Sequence, residues 1–278
     1  MKIGVIGNGF VGKATSILEC EEIDLISYDI NPNLCNPLGT KLLDMVECEI
    51  IFISVPTPMK DTGECHLQIV IDVINNLRKI NYKNYIVLRS TVPVGTCDKL
   101  GVNFMPEFLT EKKYLEDFKN CEQWIFGLYN NDDNFKSKIN QLITLAKKYN
   151  KIKYDNIIFT INKEAEMIKL FRNCFLATKV SFCNEMSQFC ELKEINYENV
   201  RKLACQDKRI GNSHSLVPGH DLKKGFGGTC FPKDMNNLNY EMKMIDMNSY
   251  IINSALERNN KIDRKEKDWT NDKGRSVI

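Results

Sequence analysis

The first 150 residues of the chain alternate short β-rich runs with stretches of helical periodicity. Buried-strand patterns occur at residues 2–6, 24–28, 50–55, 85–89 and 124–128, and apolar residues recur at helical spacing over 10–20, 67–79 and 133–149. Alternation of strands and helices is typical of a parallel sheet covered by helices. The sequence therefore predicts an α/β fold, with a doubly wound parallel sheet in this part of the chain.

From about residue 162 the pattern changes to long helical stretches over 162–192, onward to 203, and again from about 234 to 259. We place a boundary near residue 160, which gives an N-terminal domain at 1–160 and an all-helical domain at 161–258. The last residues, 259–278, are polar and highly charged, so we expect a loose C-terminal tail.

Composition and charge exclude several classes of protein. The 278 residues are 43% apolar and 27% charged, with a net charge of +2 and no basic face that would favour nucleic acid. No apolar run approaches the roughly 18 residues of a membrane span, and Met1 leads directly into a strand pattern, so we expect a cytoplasmic protein without a signal peptide. Eleven cysteines without a CxxC pair argue against a disulfide framework and a zinc ribbon.

A glycine motif lies between the first strand and the first helix, in IGVIGNGFVG at residues 3–12. Gly7 allows a tight turn, Gly9 allows the backbone to approach a pyrophosphate, and Gly12 allows close contact of helix and strand. Asp29 ends the next strand about twenty residues on, where a carboxylate binds an adenosine ribose. With no adjacent arginine, the motif predicts a Rossmann-type domain that binds NAD rather than NADP; the alternative is a glycine turn that only packs a helix on the sheet.

Three loops and one helix supply candidate polar groups. SVPTPMKDTGE (54–64) and RSTVPVGT (89–96) follow strands at the edge where parallel sheets bind ligands, although each could be an ordinary turn. In PEFLTE (106–111), Glu107 and Glu111 would share one face if helical, as a general base and a positioning group or as a solvated pair.

In the helix at 162–192, Lys169 and Asn173 are one turn apart. Its aromatic and aliphatic neighbours predict that this helix is mostly buried, although an amphipathic surface helix would offer the same pairing. These neighbours are Phe171, Phe175, Leu176 and Phe182. A buried lysine can stabilise a developing oxyanion.

The segment GFGGTCFPKD at 225–234 places Cys230 between three glycines and a Phe-Pro-Lys-Asp sequence. A loop with so little side-chain bulk can bring its backbone close to a ligand, and its thiol is either reactive or idle. These motifs, in order from residue 1 to about 255, resemble the UDP-glucose/GDP-mannose dehydrogenase family. The resemblance implies oxidation of the C6 alcohol of a nucleotide sugar to a carboxylate in two NAD-dependent steps, through a thiohemiacetal and a thioester on Cys230. UDP-glucose is the first expectation, ahead of GDP-mannose and UDP-N-acetyl sugars, with the helical domain forming a homodimer.

The resemblance also implies a role for each matched residue. Lys169 and Asn173 would stabilise oxyanions, and Asp234 and Thr91 would order the water. Cys230 would be the nucleophile with Lys233 beside it, and Glu107 would be the base in thioester hydrolysis. Expected cofactor contacts are Gly7, Gly9, Phe10, Val11, Gly12, Asp29, Pro56, Thr57, Ser90 and Thr91. Expected substrate contacts are Glu107, Phe108, Leu109, Glu111, Lys169, Asn173, Arg209, Gly225, Phe226, Gly227, Gly228 and Lys233.

Two other functions stay open on the sequence alone. A 6-phosphogluconate-type hydroxyacid dehydrogenase also uses a lysine of its helical domain, but it oxidises once and needs no thiol. The second alternative is a protein that binds NAD without full activity. Family members usually continue into another nucleotide-binding domain, which covers the nucleotide of the substrate, and the resemblance does not include that domain. His214 and His220 have no third ligand at suitable spacing, so we expect no metal.

Overall fold

The computed structural model describes residues 1–278 and divides into two compact units. Unit 1 comprises Met1–Thr57 and Leu67–Lys169, and unit 2 comprises Pro58–His66 and Leu170–Ile278. This division differs from the predicted boundary near residue 160, because the break falls inside a continuous helix and a short loop of the first half belongs to unit 2.

The sheet of unit 1 has seven strands: β1 (Lys2–Ile6), β2 (Asp24–Tyr28), β3 (Ile50–Ile53), β4 (Tyr85–Leu88), β5 (Asn103–Phe104), β6 (Trp124–Leu128) and β7 (Ile157–Ile161). Their order is β2-β1-β3-β4-β5-β6-β7. The first five strands are parallel, whereas β6 is antiparallel to β5 and parallel to β7. The predicted Rossmann-type fold is confirmed, and β5 and β7 are the strands that the sequence pattern did not predict.

Helices cover both faces of this sheet: α1 (Phe10–Thr15), α2 (Gln68–Lys79), α3 (Thr96–Leu100), α4 (Tyr114–Lys119) and α5 (Asp133–Lys148). Successive strand residues point to opposite faces, so that Phe52 packs in a core with Phe135 of α5, and Ile53 packs in a second core with Ile74 of α2. Two cores on one sheet leave its carboxyl edge for the loops that carry the predicted motifs.

Unit 2 is helical, as predicted. It contains most of α6 (Asn162–Leu192), then α7 (Tyr197–Ala204), α8 (Phe231–Met244) and α9 (Tyr250–Arg258), followed by a π-helical turn at Asn259–Asp263. None of the helices combines the length and the apolar character needed to span a bilayer.

Residues 259–278 do not form the loose tail that we expected. Trp269 and Arg264 are buried, and the backbone N–H of Met59 donates to the carbonyl of Ser276 at 2.8 Å. The segment orders because one aromatic side chain and one buried, ion-paired guanidinium provide contacts that average polarity does not reveal.

The aromatic residues of α6 lie on its exposed face. Phe171, Phe175, Phe182 and Phe189 are between 54% and 63% exposed. Their spacing places them along one side of the helix, whereas the buried positions Leu170, Cys174 and Ala177 lie on another side. The prediction that these aromatic residues bury the helix is therefore wrong within this chain.

Candidate active site

The glycine-rich turn of unit 1 combines two packed glycines with one open glycine. A Cβ atom on Gly7 would lie 2.6 Å from the carbonyl oxygen of Ser54, and Gly7 has a φ of +86°. A Cβ atom on Gly12 would lie 2.1 Å from the carbonyl oxygen of Gly7. Nothing lies within 4 Å of a Cβ atom on Gly9, which precedes α1. The backbone at Gly9 is therefore open to a ligand, with Phe10 and Val11 half-buried beside it.

Asp29 follows β2 and is tied to the same turn. Its Oδ2 accepts the backbone N–H of Asn8 at 2.7 Å, and its Oδ1 accepts that of Asn31 at 2.9 Å. A carboxylate offers roughly four acceptor positions, so Asp29 keeps the capacity to accept ribose hydroxyls. The open backbone at Gly9 and this half-buried carboxylate fit the pyrophosphate and the ribose of NAD.

The loops after β3 and β4 are joined by two hydroxyl groups. Thr57 Oγ1 donates to the carbonyl of Thr91 at 2.8 Å, and Ser90 Oγ donates to the carbonyl of Val55 at 2.6 Å. Unit 1 therefore brings together Thr57, Ser90 and Thr91 at the carboxyl edge of the sheet. Pro56 lies exposed in the loop after β3.

Two buried charges that the sequence analysis missed support these loops. Glu166 of α6 accepts the backbone N–H groups of Gly95 at 2.5 Å and Cys97 at 2.8 Å, while burial raises the pKa of its carboxyl. Arg89 donates to the hydroxyl of Thr15, and burial lowers the pKa of its guanidinium to about 10. Glu166 lies three residues before Lys169, and this spacing is the one signal that could have indicated its inward orientation.

Lys169 and Glu107 form a buried ion pair in unit 1. Lys169 Nζ donates to Glu107 Oε1 and to the Glu107 carbonyl, both at 2.6 Å. The two side chains are 3% and 7% exposed, and the ammonium lies 5.8 Å from the ring centroid of Phe108. Buried charged side chains require such pairing, and the two hydrogen bonds fix the ammonium against the carboxylate.

The segment 106–111 is not helical, so Glu107 and Glu111 do not share a helix face. The backbone N–H of Leu109 donates to Glu107 Oε2 at 2.9 Å, which folds the chain as a turn around the carboxylate. Glu111 lies exposed in the next turn. The structure therefore corrects the predicted pairing of these two carboxylates.

Cys230 occupies the N-cap position of α8 and is half-buried. The helix begins at Phe231, three residues before the predicted start. The N-terminal end of a helix carries partial positive charge, and Cys230 lies at that end of α8. The hydroxyl of Thr229 lies 3.6 Å from Cys230 Sγ.

The first turn of α8 also holds a buried charge cluster. Lys233 Nζ donates to Asp234 Oδ1 at 2.7 Å, and Asn173 Nδ2 donates to Asp234 Oδ2 at 2.6 Å. Burial lowers the pKa of Lys233, but the Asp234 carboxylate, followed by the thiols of Cys65 and Cys230, outweighs it, and the pKa is raised overall. An ammonium group is thus kept charged beside Cys230.

The remaining predicted substrate contacts, Arg209 and the residues of the segment 225–228, also belong to unit 2, and they differ in burial and in hydrogen bonding. The backbone N–H of Gly225 donates to Asn184 Oδ1 of α6 at 3.1 Å, and Phe226 is buried. Nothing lies within 4 Å of a Cβ atom on Gly228, so that side of the loop is open. The Arg209 side chain is 89% exposed and pairs with Asp207 at 2.6 Å.

The two histidines considered as metal ligands, His214 and His220, lie in the segment between α7 and α8. The ring centroids of His214 and Phe231 are 5.5 Å apart. The structure contains no group of three or more His, Cys, Asp or Glu side chains placed to hold a metal ion.

The sheet, the glycine-rich turn and the acid after β2 define a dinucleotide-binding protein of the Rossmann type, followed by a helical unit. Residues 39–146 match the UDP-glucose/GDP-mannose dehydrogenase family, NAD binding domain, and residues 163–261 match the central domain of that family. The chain therefore belongs to the UDP-glucose/GDP-mannose dehydrogenase family, which confirms the predicted family and NAD as the cofactor of its N-terminal domain.

Individual relatives agree with this assignment. The UDP-glucose 6-dehydrogenase of Rickettsia bellii (strain RML369-C) is 35% identical over 231 residues, 77% of this chain and 49% of the relative. The UDP-glucose 6-dehydrogenase YwqF of Bacillus subtilis (strain 168) is 30% identical, over 94% of this chain and 66% of the relative. This chain thus spans about half the length of the first relative. A UDP-glucose dehydrogenase structure from Pyrobaculum islandicum shares the fold, with a TM-score of 0.78 at 24% identity over 93% of this chain and 68% of that chain.

Proposed function

We propose that this chain carries the catalytic part of an NAD-dependent nucleotide-sugar dehydrogenase, with UDP-glucose as first candidate and UDP-glucuronate as product. The observation that carries the proposal is Cys230 at the N-cap of α8, with the charged Lys233 in the following turn. Oxidation of an alcohol to an aldehyde or ketone needs no thiol, whereas oxidation of an alcohol to an acid requires that the aldehyde be held between two hydride transfers.

Cys230 holds the half-oxidised sugar in this scheme. NAD would supply the chemistry of a hydride acceptor when bound, and an oxidation by four electrons would require it twice. The thiolate adds to the aldehyde carbon, so that a C–S bond forms and the carbonyl oxygen becomes the thiohemiacetal oxygen. Loss of the second hydride gives a thioester, and water then attacks the carbonyl carbon. The C–S bond breaks with the electron pair returning to sulfur, which regenerates the thiolate.

The buried polar groups of each unit take the supporting roles. Lys169 would stabilise the oxyanion, and Glu107, which pairs with Lys169 at 2.6 Å, would accept the proton of the attacking water. Asn173 would provide a second oxyanion donor, while Asp234 and Thr91 would order the water. Asn173 and Asp234 are held in place by their own hydrogen bond.

The binding roles extend to the residues predicted from the sequence. The expected NAD contacts are Gly7, Gly9, Phe10, Val11, Gly12, Asp29, Pro56, Thr57, Ser90 and Thr91. The expected sugar-nucleotide contacts are Phe108, Leu109, Glu111, Arg209, Gly225, Phe226, Gly227, Gly228 and Lys233. The open side of Gly228 supports a loop that wraps a ligand.

The active form in this proposal is a homodimer. Four phenylalanines of α6 expose more than half of their side-chain surface in one row, which supports a helix-to-helix interface between two copies.

The decisive experiment counts NADH per substrate consumed, with UDP-glucose, GDP-mannose and UDP-N-acetylhexosamines offered separately. We expect two equivalents for the true substrate, and no acid product from Cys230→Ser. Intact-mass analysis of the stalled wild-type enzyme should show a sugar adduct on Cys230. One equivalent would instead indicate a single-step hydroxyacid dehydrogenase. NAD binding with no turnover, and no protection of Cys230 from alkylation by any of these ligands, would indicate a protein that only binds NAD.

A further inference from the structure

A buried amide beyond α9 holds the backbone of the loop that precedes Cys230. Asn259 is completely buried, and its Oδ1 accepts the backbone N–H of Phe226 at 2.8 Å. Its Nδ2 donates to the carbonyl of the same residue at 3.0 Å. Both groups of one side chain are therefore used on a single residue of the segment Gly225–Gly228, which we call the glycine loop.

A buried guanidinium fixes the next residue of the glycine loop. Arg264 is 3% exposed, and it donates to Asp268 Oδ1 at 2.9 Å and to Asp221 Oδ2 at 2.6 Å. A Cβ atom on Gly227 would lie 2.3 Å from Arg264 Cζ. Because two carboxylates hold the guanidinium, the backbone of Gly227 lies directly on it, and no larger residue fits.

We propose that Asn259 and Arg264 are positioning residues that set the shape of the glycine loop and thereby the affinity for the sugar substrate. The inference rests on the proposed function, in which this loop contacts the sugar. Both residues act through backbone atoms: Asn259 fixes the direction of the Phe226 peptide groups, and Arg264 fixes the plane on which Gly227 rests. The fourth loop residue, Gly228, then presents its open side.

Asn259→Asp tests the first contact with little change of shape. The aspartate can still accept the N–H of Phe226, but it cannot donate as a carboxylate, so the buried Phe226 carbonyl loses its partner and faces a negative charge. We expect the KM for the nucleotide sugar to rise about tenfold or more, with the KM for NAD and kcat changed less than about threefold. Arg264→Lys keeps the charge but loses the planar fork, and should raise the same KM.

Leu256→Ala is the matched control, because Leu256 is a buried apolar residue of α9 with no hydrogen bond to the glycine loop. It should lower the unfolding midpoint at least as much as Asn259→Asp while leaving the KM for the sugar unchanged. The inference would be overturned if Asn259→Asp and Leu256→Ala raised the KM for the sugar equally, or if Asn259→Asp kept the wild-type KM.

A second readout does not depend on turnover. The glycine loop ends two residues before Cys230, so loosening it should increase the rate at which iodoacetamide alkylates this thiol, followed by peptide mass mapping. We expect faster alkylation in Asn259→Asp than in the wild type or Leu256→Ala. If the wild type oxidises no nucleotide sugar, the proposed function fails, and the alkylation rates alone decide whether the loop is held by Asn259. Equal alkylation rates would then reject the inference.

Discussion

Lys233 and Asp234 show why the residues next to the thiol need one another. Asp234 is fully buried and both of its carboxylate oxygens accept hydrogen bonds, one from Lys233 and one from Asn173. Burial alone would favour a neutral lysine, but the adjacent carboxylate reverses that effect and raises the pKa of Lys233. The local charge at Cys230 is therefore a property of the whole cluster.

Removing one partner should destabilise the fold far more than removing both. Asp234→Asn leaves the ammonium of Lys233 buried without a counter-charge, and we expect a loss of about 3–5 kcal/mol in the free energy of unfolding. The double variant Lys233→Met with Asp234→Asn should recover most of that loss, because the amide oxygen can still accept from Asn173. Urea denaturation measures both, and a cost below about 1 kcal/mol for Asp234→Asn would contradict a buried charge pair.

The pH dependence of this pair has a definite sign. A lysine whose pKa is raised on folding contributes stability that is fully present below the pKa of unfolded lysine and is lost as the pH rises through the folded value. The difference in unfolding free energy between the wild type and Lys233→Met should therefore stay constant from about pH 6 to pH 9 and shrink only at more alkaline pH.

The turn between β1 and α1 separates a glycine needed for packing from one needed for binding. Gly12→Ala would place a methyl group 2.1 Å from the Gly7 carbonyl, so we expect loss of stable folding. Gly9 has a φ of −69°, and nothing lies within 4 Å of a Cβ atom built on it. The free energy of unfolding of Gly9→Ala should therefore lie within about 0.5 kcal/mol of the wild-type value. The added methyl group would nevertheless occupy the path of the pyrophosphate, and calorimetry should show at least about a tenfold weaker NAD affinity. Unchanged NAD affinity in Gly9→Ala would show that the cofactor does not approach there.

Elements whose identity is encoded locally were predictable from the sequence. The apolar runs gave β1, β2 and β6 at their observed bounds, and the helical pattern over 162–192 coincides with α6. In contrast, β5 has only two residues, Asn103 and Phe104, and is defined by pairing with β4 and β6. The segment 106–111 has helical spacing, but a carboxylate that binds its own backbone favours a turn.

The candidate site was predictable where chemistry is concentrated in a motif and unpredictable where it depends on distant contacts. Lys169, Glu107 and Cys230 stand in recognisable segments. Glu166 instead acts on an amide 71 residues away, and Asn259 acts on one 33 residues away, in a region that looks like a solvated tail. Periodicity reports which face a residue occupies but not which distant backbone group it meets.

The row of phenylalanines on α6 gives the chain a surface that is unusual for a monomer. Phe171 and Phe175 stack with their ring centroids 6.4 Å apart, and Phe182 and Phe189 continue the row over two further heptads. Burying each side chain would contribute roughly 1.5–3 kcal/mol. A two-fold axis crossing the middle of the row would place the rows of two copies face to face and antiparallel, so that the start of one row meets the end of the other, as a closed dimer requires.

Charge introduced into this row should therefore separate the copies without unfolding them. We expect the wild type to sediment as a dimer and Phe175→Asp combined with Phe182→Asp to sediment as a monomer, because two carboxylates on each copy would be buried against each other. Both positions are more than half exposed within one chain, so near-native helical circular dichroism should persist in the monomer. Leu43→Glu, at a residue 63% exposed in unit 1, controls for an added charge and should leave the dimer intact. A dimeric double variant, or a monomeric wild type at micromolar concentration, would place the subunit interface elsewhere or remove it, and the row would then need another partner to cover it.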